Sequence, residues 1–184
     1  MNELFAPWRI EWVKRDDRTT TDECVFCRLP EEGTDREVLI VARSDRAYVL
    51  LNNAPYNPGH LMVIPHDHTG APEELSALTT YEVARLTQVA IEAVKATFDP
   101  DGLNTGRNLG KSAGGSITEH VHTHVVPRWE GDTNFMAVID ETKVIVQALA
   151  DCYEQLHETF TCHPASTGLS EAGAVNCSFE PPAA

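Results

Sequence analysis

The spacing of apolar residues changes several times along this chain, and each change predicts an element. Glu37 to Ala42 and Ala47 to Leu51 are short apolar runs either side of Ser44-Asp45-Arg46, which predicts two strands around a turn. Asn52 to Gly59 contains Pro55, Pro58 and Gly59 and reads as a turn-rich connection, and His60 to Pro65, HLMVIP, reads as a third strand. From Leu78 the period is helical. Val83, Leu86, Ala90, Ile91 and Val94 form one stripe, Thr79-Thr80-Tyr81-Glu82 fits a capping box at its start, and the pattern stops near Asp99-Pro100. Leu103 to Asn108 and Glu119 to Trp129 read as strands joined by a glycine-rich loop, with Phe135 to Ile139 as a last strand. Val144, Ile145, Ala148, Leu149, Cys152 and Leu156 mark a second amphipathic helix. Five or so strands in hairpin order with two helices predict an α+β domain built on an antiparallel sheet.

Both ends depart from this pattern. Residues 1–23 carry Phe5, Trp8, Ile10 and Trp12, too much apolar surface to leave in water, so this arm is expected to pack on the domain or on a partner subunit. From Thr161 the chain turns small and polar without a period, so residues 161–184 read as a flexible tail behind a domain spanning 24–160. Cys162, His163 and Cys177 lie in that tail at no ligand spacing.

Within the stretch from Glu119 to Trp129, His120, His122 and His124 alternate with Val121 and Thr123. Successive side chains of a strand point to opposite faces, so all three imidazoles are expected on one face. Strand propensity favours β-branched residues there, and burying unpaired imidazoles is costly, so the pattern calls for a chemical role.

Composition narrows that role. The formal net charge of −14 excludes a surface that coats nucleic acid, which needs clustered cations, but not a site for one small anion served by Arg107, Lys111 or Arg128. Such acidity is either an ordinary solvated surface or the mark of a halophilic source. Five cysteines, an odd number, in a chain without a signal-peptide pattern or a membrane-length apolar segment point to a reducing, cytoplasmic location.

The pattern His120-Val121-His122-Thr123-His124-Val125-Val126 resembles the signature of the histidine triad (HIT) family of nucleotidyl hydrolases and transferases, with Thr123 in place of an apolar spacer. The resemblance runs from about Cys24 to Phe160 and includes LNNAPYNPGHLMVIP (Leu51 to Pro65) and GLNTGRNLGKSAGGS (Gly102 to Ser116). These stretches look most like the diadenosine tetraphosphate phosphorylase-like branch of actinobacteria and archaea. The resemblance implies a HIT-like fold, usually a homodimer, that binds a purine nucleotide or dinucleoside polyphosphate.

It also implies roles. His122 matches the nucleophile that attacks the α-phosphate and forms a covalent nucleotidyl-histidine. His124 matches the member that contacts the phosphate near the leaving group, and His60, in Pro58-Gly59-His60, matches a separate supporting histidine. Asn52 matches a ribose contact, and Asn108 and Ser116 match phosphate contacts. The loop Gly110-Lys111-Ser112-Ala113-Gly114-Gly115-Ser116 lies between predicted strands, so it is no Walker A loop. Its glycines, Gly115 among them, would let backbone N–H groups and Lys111 approach phosphate oxygens. Ser116 stands where better-known hydrolase branches carry glutamine, which leaves the acceptor open between water and phosphate.

Cys24 and Cys27 form a Cys-x-x-Cys, which by itself fits a redox pair, inert thiols or a metal site. Zinc-containing members of the family complete the pair with a histidine after the Pro-Gly-His strand and the first triad histidine. The resemblance therefore implies a structural zinc held by Cys24, Cys27, His68 and His120, with His66 as the alternative to His68. Two other functions compete with dinucleoside polyphosphate cleavage: a purine nucleoside phosphoramidase using the same nucleophile, and a non-catalytic nucleotide-binding regulator. A uridylyltransferase-like activity is disfavoured because that branch replaces the last triad histidine with glutamine, whereas His124 is present.

Overall fold

The computed structural model describes residues 23–132 and 147–181. The aromatic arm before residue 23, the strand expected at Phe135 to Ile139, and Val144 and Ile145 of the second helix lie outside the described residues.

Among the described residues one sheet of seven strands runs in the order β4-β5-β3-β2-β1-β7-β6. Its strands are β1 (Ile40–Arg43), β2 (Ala47–Leu51), β3 (Leu61–Pro65), β4 (Gly102–Gly106), β5 (Thr123–Arg128), β6 (Ser166–Leu169) and β7 (Val175–Cys177). The α+β class and the antiparallel pairing of β1 through β5 are as expected. Several boundaries differ, and β4, expected to run from Leu103 to Asn108, spans Gly102–Gly106. Glu37 and Val38 belong to a turn in which both N–H groups bond the Thr34 carbonyl, and Leu39 has φ +65, so β1 begins only at Ile40. His120 and His122 precede β5, whose ladder starts at the pair Val63↔Thr123.

Three α-helices are described: α1 (Val25–Arg28), α2 (Ala77–Phe98) and α3 (Leu149–Thr161). The start of α2 corrects the expected capping box. Ser76, three residues before Thr79, is the N-cap, and its side chain accepts from the Thr79 N–H at 3.0 Å. Glu82 reaches instead to the β1–β2 turn, accepting from Ser44 Oγ and the Arg46 N–H, each at 2.9 Å. The helix ends as expected, with Asp99 in the left-handed conformation at its C-cap.

Each strand of the sheet centre is buried on both faces, which explains runs such as AYVLL and LMVIP that do not alternate in polarity. Val49, Leu51, Leu61, Val63 and Val125 pack under Val83, Leu86 and Val94 of α2 and Leu156 and Phe160 of α3. The opposite face carries Tyr48, Leu50, Met62 and Ile64, covered by Phe26 of α1. Cross-strand partners share a face, and Leu50↔Met62, Met62↔His124 and Gly106↔His124 place His124 on the side away from the long helices.

The expected tail is the largest correction. β7 lies parallel to β1, with Ala42↔Val175 and Arg43↔Asn176, and β6 closes on it as a hairpin. Ala174, Val175 and Cys177 are buried. Asp35 clamps this hairpin: its Oδ2 accepts from Ser170 Oγ at 2.7 Å and the Ala174 N–H at 2.8 Å, while Oδ1 takes the Arg43 guanidinium. Strands this short leave no period in the sequence. No helix among the described residues is long and apolar enough to cross a membrane.

Candidate active site

β3 and β5 bring His60 and His124 together, and β5 with its lead-in brings His122 beside them. His60 and His122 are buried and His124 is partly open. His60 Nε2 lies 3.0 Å from His124 Nδ1, and the His122 and His124 ring centroids are 4.8 Å apart.

Partners that can only donate or only accept fix where the protons sit. The Tyr56 backbone N–H donates to His60 Nδ1 at 3.1 Å, and the Asn52 amide approaches the same nitrogen at 3.3 Å. A neutral His60 therefore carries its proton on Nε2 and donates to His124 Nδ1, which leaves the His124 proton on Nε2. His122 Nδ1 lies 3.0 Å from the His120 carbonyl, which accepts only, so Nδ1 holds the proton and the lone pair is on Nε2. Burial lowers the pKa of His122, and the bond to the His120 carbonyl offsets this only in part. At neutral pH the ring thus offers an unprotonated Nε2 that can attack an electrophile.

Asn52, expected as a ribose contact, is half-buried and is occupied within its own loop. Its Oδ1 accepts from the Ala54 N–H at 2.9 Å while its amide faces His60, so it helps orient that ring. The glycine-rich segment leaves β4 at Gly106, directly opposite His124 in the ladder, and makes a 3₁₀ turn over Lys111–Ala113. Gly110 and Gly114 have φ of +79 and +89. A Cβ on Gly115 would stand 3.1 Å from the carbonyl oxygens of both Asn108 and Gly110, so this position packs backbone on backbone. Asn108 is half-buried, Lys111 and Ser116 are exposed, and none of the three bonds a histidine among the described residues.

Of the other cations, Arg128 is taken up by Asp132 on two nitrogens and by Asn104, at the far end of β5. Arg107 donates from Nε to Thr123 Oγ1 at 2.8 Å, which accounts for a polar spacer within the histidine pattern.

His120 turns to a second cluster. Its Nε2 donates to the Pro65 carbonyl at 2.8 Å, so its Nδ1 lone pair faces the cysteines. Cys24 is the N-cap of α1, and its carbonyl accepts from the Cys27 and Arg28 N–H groups, so one helical turn brings both sulfurs to one side. His120 Nδ1 is 3.4 Å from Cys24 Sγ and 3.5 Å from Cys27 Sγ, and His68 Nδ1 is 3.2 Å from Cys27 Sγ. All four donor atoms fall within 4.8 Å of one another and could hold a metal ion. Sulfur and nitrogen ligands on one tetrahedral zinc stand about 3.6 Å apart, so the donor set fits. His66 is excluded from it, since its ring stacks on Tyr48 at 5.6 Å. Burial first, then the neighbouring Cys24, pushes the Cys27 thiol up to about 11, the state expected of clustered thiols that a cation would ionise.

Two residues escaped the sequence reading. Tyr56 stacks on His60 with centroids 5.0 Å apart and planes at 15°. Phe26 meets both His120 and His122 edge-on. Phe26 has no polar group that would have marked it, although it stands inside the Cys-x-x-Cys, and what Tyr56 gives His60 is a ring face and a backbone N–H, which no spacing signals.

The family model for the HIT domain matches residues 34–131. A Mycobacterium tuberculosis protein named AP-4-A phosphorylase is 44% identical over 157 residues, covering 82% of this chain and 80% of that protein. Among solved structures, a hypothetical histidine triad nucleotide-binding protein from Sulfolobus tokodaii is 29% identical with a TM-score of 0.58, covering 74% of this chain and 88% of that one. A zinc-bound histidine triad family protein from Mycobacterium smegmatis has a TM-score of 0.60 at 24% identity, covering 74% of this chain and 92% of that one, and shares the fold.

Proposed function

The chain belongs to the HIT domain family, and from that premise we propose that it cleaves a dinucleoside polyphosphate of the diadenosine tetraphosphate type at the α-phosphate. It is an enzyme of that family, and the relative from M. tuberculosis carries a phosphorylase name. The observation that carries the reading is the tautomer of His122, which leaves Nε2 unprotonated in a buried site.

In this mechanism His122 Nε2 donates its lone pair to the α-phosphorus, and the bond from phosphorus to the bridging oxygen of the leaving polyphosphate breaks. The departing oxygen takes the proton from His124 Nε2, and His60 Nε2–H stays directed at His124 Nδ1. As His122 becomes cationic, the His120 carbonyl holds its Nδ1–H. An oxygen of inorganic phosphate then attacks the nucleotidyl-His122 and gives its proton back to His124 Nε2, the phosphorus–nitrogen bond breaks to release ADP, and His122 Nε2 regains its lone pair. Asn108, Gly115, Ser116 and Lys111 serve as phosphate contacts from the loop opposite His124, and Asn52 adds a ribose contact beside His60.

Cys24, Cys27, His68 and His120 would hold a structural zinc, whose chemistry is to cross-link α1, the segment after β3 and the lead-in to β5. With four protein ligands it would leave no position for substrate. β4, exposed and at the edge of the sheet among the described residues, supports pairing with a second chain as a homodimer. Five cysteines without a disulfide, two of them ligands of the proposed zinc, support a cytoplasmic location.

The test is incubation with diadenosine tetraphosphate, with and without inorganic phosphate, and separation of the products. Phosphate-dependent formation of ADP and ATP is expected. AMP and ATP regardless of phosphate would make water the acceptor, and no cleavage would overturn the reading.

A further inference from the structure

The His122 ring is held on three sides. Its Nδ1–H bonds the His120 carbonyl at 3.0 Å, and His124 meets it at 4.8 Å between centroids with planes at 78°. Phe26 closes the third side at 5.0 Å and 63°. A single hydrogen bond anchors one edge of an imidazole and leaves the ring free to rock about that bond, so packing against its faces and edges must remove the remaining freedom.

Phe26 is built to do this. Phe26 is 4% exposed, and among the described residues its other aromatic contact is His120, at 5.6 Å and 88°. Its backbone carbonyl accepts from Tyr48 Oη at 2.7 Å, and Tyr48 is fully buried in β2. The backbone of α1 is thus pinned to the sheet, and the phenyl ring is wedged between the two histidines from a fixed point. We propose that Phe26 is a positioning residue for His122, fixing the direction in which Nε2 points. This rests on the reading of His122 as nucleophile. An attacking atom must stay within a fraction of an ångström and a narrow cone of the phosphorus, and loss of that alignment lowers the rate far more than the affinity.

The test compares Phe26→Leu, which keeps apolar volume without a flat ring, with Phe26→Tyr, which keeps the ring. Each is made in the full chain, with zinc content measured beside turnover of diadenosine tetraphosphate. Phe26→Leu is expected to lose about tenfold or more in kcat with KM within about twofold of wild type. Zinc content is expected to stay at the wild-type level, and Phe26→Tyr to recover most of kcat. In the unaltered protein, NMR is expected to show a nuclear Overhauser contact between the Phe26 ring protons and the carbon-bound ring protons of His122, whose signals broaden in Phe26→Leu. Wild-type kcat in Phe26→Leu, or a loss confined to KM, would overturn the proposal. If Phe26→Leu does not fold, the wild-type contact and Phe26→Tyr decide: contact with preserved kcat upholds the proposal, and a missing contact sinks it. The NMR arm is independent of turnover, so an active His122→Ala would remove the nucleophile reading while the ring contact is still judged on its own.

Discussion

His60 Nε2 sits 3.0 Å from His124 Nδ1, and the proton between them belongs to His60 because the Tyr56 N–H occupies the other His60 nitrogen. His60 thereby sets the tautomer of a ring it does not share a strand with. Replacing His60 with alanine removes that donor, and His124 can then carry its proton on either nitrogen. A fall in kcat of about 10- to 100-fold is expected. Steady-state rates on diadenosine tetraphosphate check it, and an unchanged kcat would show that the His124 tautomer does not matter.

His122→Ala leaves the polar surroundings but removes the attacking nitrogen. Turnover is expected to fall by about three orders of magnitude or more, with the circular dichroism spectrum retained. Quenching wild-type turnover and weighing the intact protein should reveal a nucleotidyl adduct that the variant lacks. An active variant would exclude His122 as the nucleophile.

Metal analysis of the purified protein is expected to find one zinc per chain, held by Cys24, Cys27, His68 and His120. Cys24→Ser should lose it and melt on the order of 5–10 °C lower, because the cross-link between α1 and the lead-in to β5 is gone. An equally stable wild type without metal would end the assignment.

Asp35 is wholly buried, and burial alone would raise its pKa. Bonds from Arg43, the Ala174 N–H and Ser170 outweigh that and hold it below the usual carboxylate range. A group whose folded pKa is depressed adds stability above its unfolded value, near ~3.9, and that contribution is lost as pH falls through the lower folded value. Asp35→Asn is therefore expected to cost about 3–5 kcal/mol at pH 7, with the difference from wild type shrinking as pH drops below about 4. Urea unfolding at both pH values measures this, and a difference that does not change with pH would refute the clamp.

What was legible in the sequence was whatever leaves a local trace. The stripe from Val83 to Val94, the stop at Asp99 and the unbroken apolar runs of β2 and β3 report burial directly, since a strand covered on both faces has no polar side to show. The alternation of His120, His122 and His124 likewise announced chemistry, because imidazoles at that spacing are too costly to bury without a use.

Only the tertiary structure decided the rest. The lead-in to β5 turns His120 toward Cys24, Cys27 and His68 while His122 stays beside His124, which meets His60, and no local spacing encodes that division. β7 is three residues long and is a strand because β1 offers a parallel edge, β6 closes on it as a hairpin and Asp35 supplies a buried acceptor. Phe26 carries no chemistry of its own, and its relation to His122 exists because folding packs it on Leu50, Met62 and Ile64 and Tyr48, 22 residues further on, binds its carbonyl. Sequence reports the side chains that must be buried or paired; which pairs form is decided by the contacts between distant segments that folding creates.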